Sequence, residues 1–451
     1  MELTFWGATD TVTGSRFVVD TGAHRVLVDC GLFQGLKRLR RRNWDPFPVD
    51  PASIDAVVLT HAHIDHSGYL PALVRDGFAG PIVCTRGTAD LAAVLLPDSA
   101  HLQEEDARFA NKHRSTRHAP ALPLYTSDDA EVALRALTPV AFDTDHEVVP
   151  GLTARFSPVG HIIGAASVRL DDGERSVTFS GDVGRPIDPV MRPPAPLQTA
   201  DHVVVESTYG NRTHPATDPA GELASIIGRT LERGGTVLIP TFAVGRAQTI
   251  LYLLSRLRAD GRIPEVPTYL NSPMAISATE LFLAHPEAHR LDPAACAALC
   301  DGVTFVRSVE ESKQLTPLGG PMIVLSASGM MSGGRVLHHL MRVAPDRRSS
   351  IVVTGFQAAG TRGEALLAGA RRLKIYGSYV DVRAEVHHID SLSAHADADE
   401  LIAWLRTAGR PPERVHIVHG EPSAADAMRR LVRDELGWSP HLPTHGESVT
   451  I

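Results

Sequence analysis

The stretch Leu59-Thr60-His61-Ala62-His63-Ile64-Asp65-His66-Ser67-Gly68, LTHAHIDHSG, sets three histidines and an aspartate within six residues. It closes the apolar run IDAVVL (Ile54–Leu59), so these polar groups fall in a loop at a strand end. Imidazole and carboxylate suit zinc and similar ions. His61 and His63 are two residues apart, and in an extended segment they point the same way. Asp65 and His66 follow and can face a neighbouring ion as the loop turns. A single ion does not use this many ligands from one loop, whereas an adjacent pair does.

The remaining ligands are expected at other strand ends. SPVGHIIGAAS places His161 after a strand, between glycines that allow close backbone approach. VTFSGDVGR places Asp182 after another, and VHIVHGE places His419 after the last. The expectation is two Zn2+ per chain, with His61, His63 and His161 on one, Asp65, His66 and His419 on the other, and Asp182 bridging.

The chain of 451 residues is too long for one ordinary domain and suggests two or three. It contains no apolar run of 18 residues, so no membrane span is expected. The start, MELTFWGATDTVTGS, lacks the basic and apolar regions of a signal peptide. Cys30, Cys84, Cys296 and Cys300 have no zinc-ribbon spacing and read as buried thiols of a cytoplasmic protein. With 44 Lys+Arg against 52 Asp+Glu the net charge is −8, which excludes a generic polyanion binder. Any nucleic-acid affinity must come from a local basic groove. The run KRLRRR, residues 37–42, is either such a patch or a solvated face.

Residues 1–208 alternate short strands with loops rich in His, Asp and Gly, the pattern of an α/β layered sandwich with its site along one rim. Residues 209–372 alternate strands and helices strictly, which predicts an inserted, Rossmann-like parallel sheet. Residues 373–451 return to the first texture and close the first domain. Glycine-rich strand–helix turns in the middle can present backbone amides to phosphate. The candidates are Ser328, Gly329 and Arg335 in SASGMMSGGR, Thr361 and Arg362 in GTRG, and Arg246 in VGRAQ. The histidine pairs His338–His339 and His387–His388 read as structural.

THAHIDHSG, GHIIGA and SGD resemble the metal motifs of the metallo-β-lactamase superfamily, and Asp29 in VDCG resembles its early acidic motif. VVESTYGNRTH, DSLSAHAD and VHGE resemble the further motifs of its β-CASP branch, whose members process nucleic acids. The resemblance spans essentially the whole chain and implies an αββα sandwich with an inserted β-CASP domain. It implies a compact bacterial member related to the nuclease subunit of the cleavage and polyadenylation factor. By position, Glu206, His395 and His419 are the three β-CASP motif residues. In RNA-acting members the last position is His, so His419 favours RNA, and single-stranded RNA is the expected partner. Asp29 supports the metal loop in this family instead of ligating.

The implied activity is zinc-dependent hydrolysis of RNA phosphodiesters by a metal-activated hydroxide, leaving 3′-hydroxyl and 5′-phosphate ends. His395 would be the acid, Glu206 its partner, and Asp65 a ligand in the catalytic set. A thioesterase or lactonase would use the same metal loop without Glu206 and His395. A non-catalytic subunit would have lost ligands, and every ligand position here is filled. The sequence leaves open endonuclease against 5′-exonuclease and whether the chain forms homo-oligomers.

Overall fold

The computed structural model describes residues 1–114, 116, 118–315 and 317–451. The chain divides into two compact units. The first comprises residues 1–188, 192–213 and 395–451, and the second residues 189–191 and 214–394.

Two seven-stranded sheets form the first unit. In spatial order, one runs Ser448–Thr450, Glu2–Phe5, Phe17–Asp20, Arg25–Val28, Ala56–Val58, Ile82–Thr85 and Leu137–Val140. The other runs Pro440–His441, Arg414–Ile417, His202–Val205, Ser176–Phe179, Ala166–Asp171, Leu152–Pro158 and Asp145–Val149. Alternate residues of facing strands meet in one core. Leu3, Phe5, Phe17, Val19, Val26, Val28, Ala56 and Val58 come from the first sheet, and Ala154, Phe156, Val168, Leu170, Val177 and Phe179 from the second. This two-residue period is what a sheet with one buried face requires. The long helix Arg86–His113 and the helices Ala398–Leu405 and Pro422–Leu436 belong to this unit and complete the expected αββα sandwich. Arg414–Ile417 pairs parallel with His202–Val205, so strands from either side of the insertion are neighbours.

The second unit holds a six-stranded sheet, ordered Val303–Phe305, Thr268–Leu270, Met322–Ser326, Thr236–Pro240, Ser350–Thr354 and Glu385–Ile389. Every pairing in it is parallel. The helices Pro219–Glu232, Arg246–Ala259 and Val336–Val343 cross between strands, as parallel pairing demands. The sequence reading ended this insertion at residue 372. The sheet carries it further, because Glu385–Ile389 pairs with Ser350–Thr354 as its last strand. Cys30 and Cys84 are buried as expected, whereas Cys296 and Cys300 are only half-buried on a short exposed helix and the turn after it. Among the described residues no helix is long and apolar enough to cross a membrane.

Candidate functional site

The strand Ala56–Val58 delivers the loop HAHIDH, and its backbone is fixed from outside. Ser15 N–H donates to the Asp65 carbonyl at 2.9 Å and Cys30 N–H to that of His66 at 2.7 Å. Gly31 lies so close that a Cβ there would sit 1.6 Å from the Asp65 oxygen, so only glycine fits. GHIIGA follows Leu152–Pro158, SGD follows Ser176–Phe179, and VHGE follows Arg414–Ile417, so all four ligand segments leave strand ends of the first unit.

Four ligand atoms form one set. His61 Nε2 and His63 Nδ1 are 3.2 Å apart, and His161 Nε2 is 3.1 Å from His63 Nδ1. Asp182 Oδ2 lies 3.4 Å from His61 Nε2 and 3.5 Å from His161 Nε2. Zinc–nitrogen bonds of about 2.0–2.1 Å put tetrahedral ligands about 3.3–3.4 Å apart, and these spacings match. A second set combines His66 Nε2, His419 Nε2 and Asp65 Oδ2, with separations of 3.2 Å between the histidines and 3.5 Å from His419 to Asp65. Asp182 Oδ1 approaches His66 Nε2 at 3.3 Å, so one carboxylate offers an oxygen to each set. That Oδ1 is buried and, among the described residues, accepts no hydrogen bond, as suits an atom facing a cation. The seven residues expected as ligands are thus brought together in two groups able to hold metal.

Electrostatics agree with ligation in the first set, whereas for His66 burial is outweighed by Asp182 and Asp29, which raise its pKa well above the ordinary histidine value. Burial first, and then the neighbouring imidazoles, hold His61 and His161 below the ordinary histidine value and His63 at about 3, the neutral form that metals need. Burial opposes the charge of Asp65 and Asp182, but the histidines around them outweigh it and keep both carboxyls ionised. Asp29 makes a 2.7 Å contact through Oδ2 to His66 Nδ1, leaving Nε2 for the metal. It also accepts from the Thr60 N–H and hydroxyl, both at 2.8 Å. Two of these residues adopt the left-handed region, Asp29 at φ 56° and His419 at φ 49°. Such strain persists only when surroundings enforce it. His419 N–H donates to the Ala8 carbonyl at 2.7 Å, and its own carbonyl accepts from Ser207 N–H at 3.2 Å.

Beside the paired sets lies His395. Its Nδ1 is 3.0 Å from Glu206 Oε2, and its Nε2 is 4.0 Å from Asp182 Oδ2. Burial disfavours a charged imidazole there, but Glu206 and Asp182 overcome it and push its pKa up to about 9. Glu206 also lies near Asp182 and His419. Its oxygens are engaged elsewhere, because Oε1 accepts from Val183 N–H at 2.6 Å and both face His395.

Sequence reasoning missed Thr60 and Thr208. Their hydroxyls lie 3.1 Å from His61 Nδ1 and His419 Nδ1, and each simply neighbours a motif residue without a spacing signal of its own.

The phosphate candidates all lie in the second unit. Two of them do other work. Arg335 donates to Asn271 Oδ1 and to the carbonyls of Val306 and Arg307, at 2.7–2.9 Å. Arg362 donates to the carbonyls of Lys374 and Met331 at 2.9 Å and to that of Ser332 at 3.2 Å. Both guanidinium groups brace backbone carbonyls of their own unit, a role the phosphate expectation did not include. Thr361 caps the helix Arg362–Leu367 by accepting from Glu364 N–H. Ser328 Oγ accepts from Ser332 N–H at 3.3 Å, Gly329 abuts Phe242, and Arg246 is buried at the start of its helix. The histidine pairs fit their structural reading: His339 meets Asn271 at 2.7 Å, and His387 meets Glu385 at 3.2 Å.

Comparison with known families gives the class. The family models "Metallo-beta-lactamase superfamily", "Beta-Casp domain" and "Zn-dependent metallo-hydrolase RNA specificity domain" match residues 10–225, 247–366 and 379–443. The chain belongs to the β-CASP branch of the metallo-β-lactamase superfamily, a family of zinc-dependent metallo-hydrolases. It is 38% identical over 462 residues to Ribonuclease TTHA0252 of Thermus thermophilus, with all of both chains covered. It is 30% identical to Transcription termination factor FttA of Methanocaldococcus jannaschii, covering 96% of this chain and 70% of that protein. A crystal structure of a protein of unknown function from Enterococcus faecalis shares the fold at TM-score 0.53 and 14% identity, covering 100% of this chain and 99% of that one.

Proposed function

We propose that the protein is a zinc-dependent ribonuclease that hydrolyses single-stranded RNA to 3′-hydroxyl and 5′-phosphate ends. The observation that carries this reading is the pairing of two tetrahedral-sized ligand sets through Asp182, with the Glu206–His395 pair beside them. The relative from Thermus thermophilus named as a ribonuclease, and the matched model named for RNA specificity, support RNA as the substrate.

In this reading His61, His63, His161 and Asp182 hold one zinc ion, and Asp65, His66, His419 and Asp182 the other. Such a pair supplies Lewis acidity toward a phosphoryl oxygen and a water acidic enough to ionise near neutral pH. Asp65 orients the attacking water from its place in the second set. The 3′ oxygen is a basic leaving group and needs a proton. His395 Nε2 holds that proton, and Glu206 keeps the ring charged and aimed.

The test is incubation of purified protein with RNA labelled at either end, before and after chelation and with zinc restored. Loss on chelation, recovery with zinc, and 3′-hydroxyl products are expected. A 2′,3′-cyclic phosphate as primary product overturns the mechanism, since it requires attack by the substrate's own 2′-hydroxyl.

A further inference from the structure

Lys37, Arg38, Arg40, Arg41 and Arg42 place five cations in six residues. They form the short helix Lys37–Arg41 and its C-cap, and this helix buries none of its residues. Its composition therefore has no explanation in packing. Lys37, Arg38, Arg40 and Arg41 are exposed and Arg42 half-buried. Arg25 and Arg75 pair with Asp20 and Asp76, but among the described residues none of these five cations has a carboxylate within ion-pair distance. Asp45 is the next acid along the chain, and Trp44 between them is 61% exposed.

This patch is tied to the candidate metal loop. Leu32 N–H donates to the Ile64 carbonyl at 2.9 Å. Asn43 closes back on Phe33, accepting from its N–H at 2.9 Å and donating to its carbonyl at 2.8 Å. Arg42 lies over the Phe33 ring, 5.4 Å from its centroid. Lys37 follows Leu32 by about five residues, a reach of at most about 18 Å. That equals roughly five nucleotides of stacked strand at 3.4 Å each.

We propose that Lys37, Arg38, Arg40, Arg41, Arg42 and Trp44 form a second RNA-binding surface, holding the strand several nucleotides from the bond that is cut. This rests on the reading of the substrate as RNA. A chain of net charge −8 repels a polyanion on average, so a strand must be captured by local positive charge. The cations meet phosphates without regard to sequence, and an exposed indole stacks on any base.

The experiment compares wild type, the triple variant Arg38→Gln/Arg40→Gln/Arg41→Gln, and Trp44→Ala. The substrates are an unstructured 20-nucleotide RNA, a 4-nucleotide RNA and bis(p-nitrophenyl) phosphate, with binding to the long RNA followed against salt. For the triple variant the slope of log affinity against log salt should fall by about 2, at about 0.7 for each phosphate no longer neutralised. Trp44→Ala should weaken long-RNA binding about five- to hundredfold. Turnover of the nitrophenyl ester and the 4-nucleotide RNA should stay at the wild-type level. Unchanged slope and affinity on long RNA overturn the surface, as does equal loss on all three substrates. If the wild type cleaves neither RNA, the ribonuclease reading falls as well; normal wild-type cleavage with indifferent variants removes the surface alone.

Discussion

Glu206 joins His395 to the segment that carries Asp182: Oε2 lies 3.0 Å from His395 Nδ1, while Oε1 accepts from Val183 N–H at 2.6 Å. The same segment is held to the chain around His395 by an isolated β-bridge between Gly184 and His395 and by Ala396 N–H donating to the Val183 carbonyl. A buried carboxylate thus fixes both the charge and the position of the imidazole relative to the metal ligands. In the proposed mechanism this is what a proton donor needs.

If His395 donates to the leaving oxygen, its loss matters only when that oxygen is basic. General acid catalysis is worth about 10²–10⁴-fold. We expect His395→Ala to lose roughly that factor on RNA while staying near wild type on bis(p-nitrophenyl) phosphate, whose leaving group needs no proton. His61→Ala should fail on both. Equal loss by His395→Ala on both substrates, with its metal retained, would assign His395 to phosphate binding instead.

The pH profile isolates Glu206. Burial lowers the His395 pKa, and the carboxylates raise it past the ordinary value to about 9. The protonated form is the active one, so activity is lost as pH rises through this pKa. Glu206→Gln removes one of the raising charges. Its alkaline limb should move to lower pH by about one unit or more. A limb that stays in place, or moves up, argues that Glu206 acts only as a strut.

How much of this was legible in the sequence depends on distance along the chain. HAHIDH is local, and its chemistry is unmistakable from six residues. His161, Asp182 and His419 stood out because each interrupts glycine-rich sequence straight after an apolar run. The end of the insertion was not legible, because EVHHI looks like any strand and only its partner, Ser350–Thr354, places it in the parallel sheet. The bracing role of Arg335 and Arg362 was not legible for a related reason. An arginine in a glycine-rich turn looks the same whether its guanidinium meets a phosphate or a carbonyl 12 or more residues away.

Hydrogen bonds from a charged group contribute about 1.5–3 kcal/mol each when buried, and less where water competes. Arg335→Ala removes three, partly exposed. We expect it to lower the thermal midpoint of the second unit, with about 2 kcal/mol of stability lost, and to leave metal content intact. Undiminished stability together with weakened RNA binding would assign Arg335 to phosphate contact instead.

Asp182 offers one oxygen to each ligand set. Removing it should therefore damage both sites together. Elemental analysis of protein purified without chelators should give close to two zinc ions per wild-type chain and clearly fewer in Asp182→Ala, with RNA cleavage abolished. A fully active Asp182→Ala holding two ions would end the dinuclear proposal.

Asp29 tests the layer behind the ligands. Asp29→Asn keeps an oxygen for Thr60 N–H, which the wild-type Oδ1 accepts at 2.8 Å. The other position, 2.7 Å from His66 Nδ1, becomes an NH2 group. An NH2 there must donate, so His66 is driven to the tautomer with Nδ1 bare and its proton on Nε2. That proton then points at the place where the second ion binds. Outer partners of metal-bound histidines are worth about 10–100-fold in metal affinity. Competition with a zinc chelator should show this loss for the ion on Asp65, His66 and His419. The set built on His61, His63 and His161 should release its ion as the wild type does. Loss from both sets alike would mean that Asp29 holds the whole loop through Thr60, and Asp29→Asn with wild-type affinity at both would show that His66 does not bind metal through Nε2.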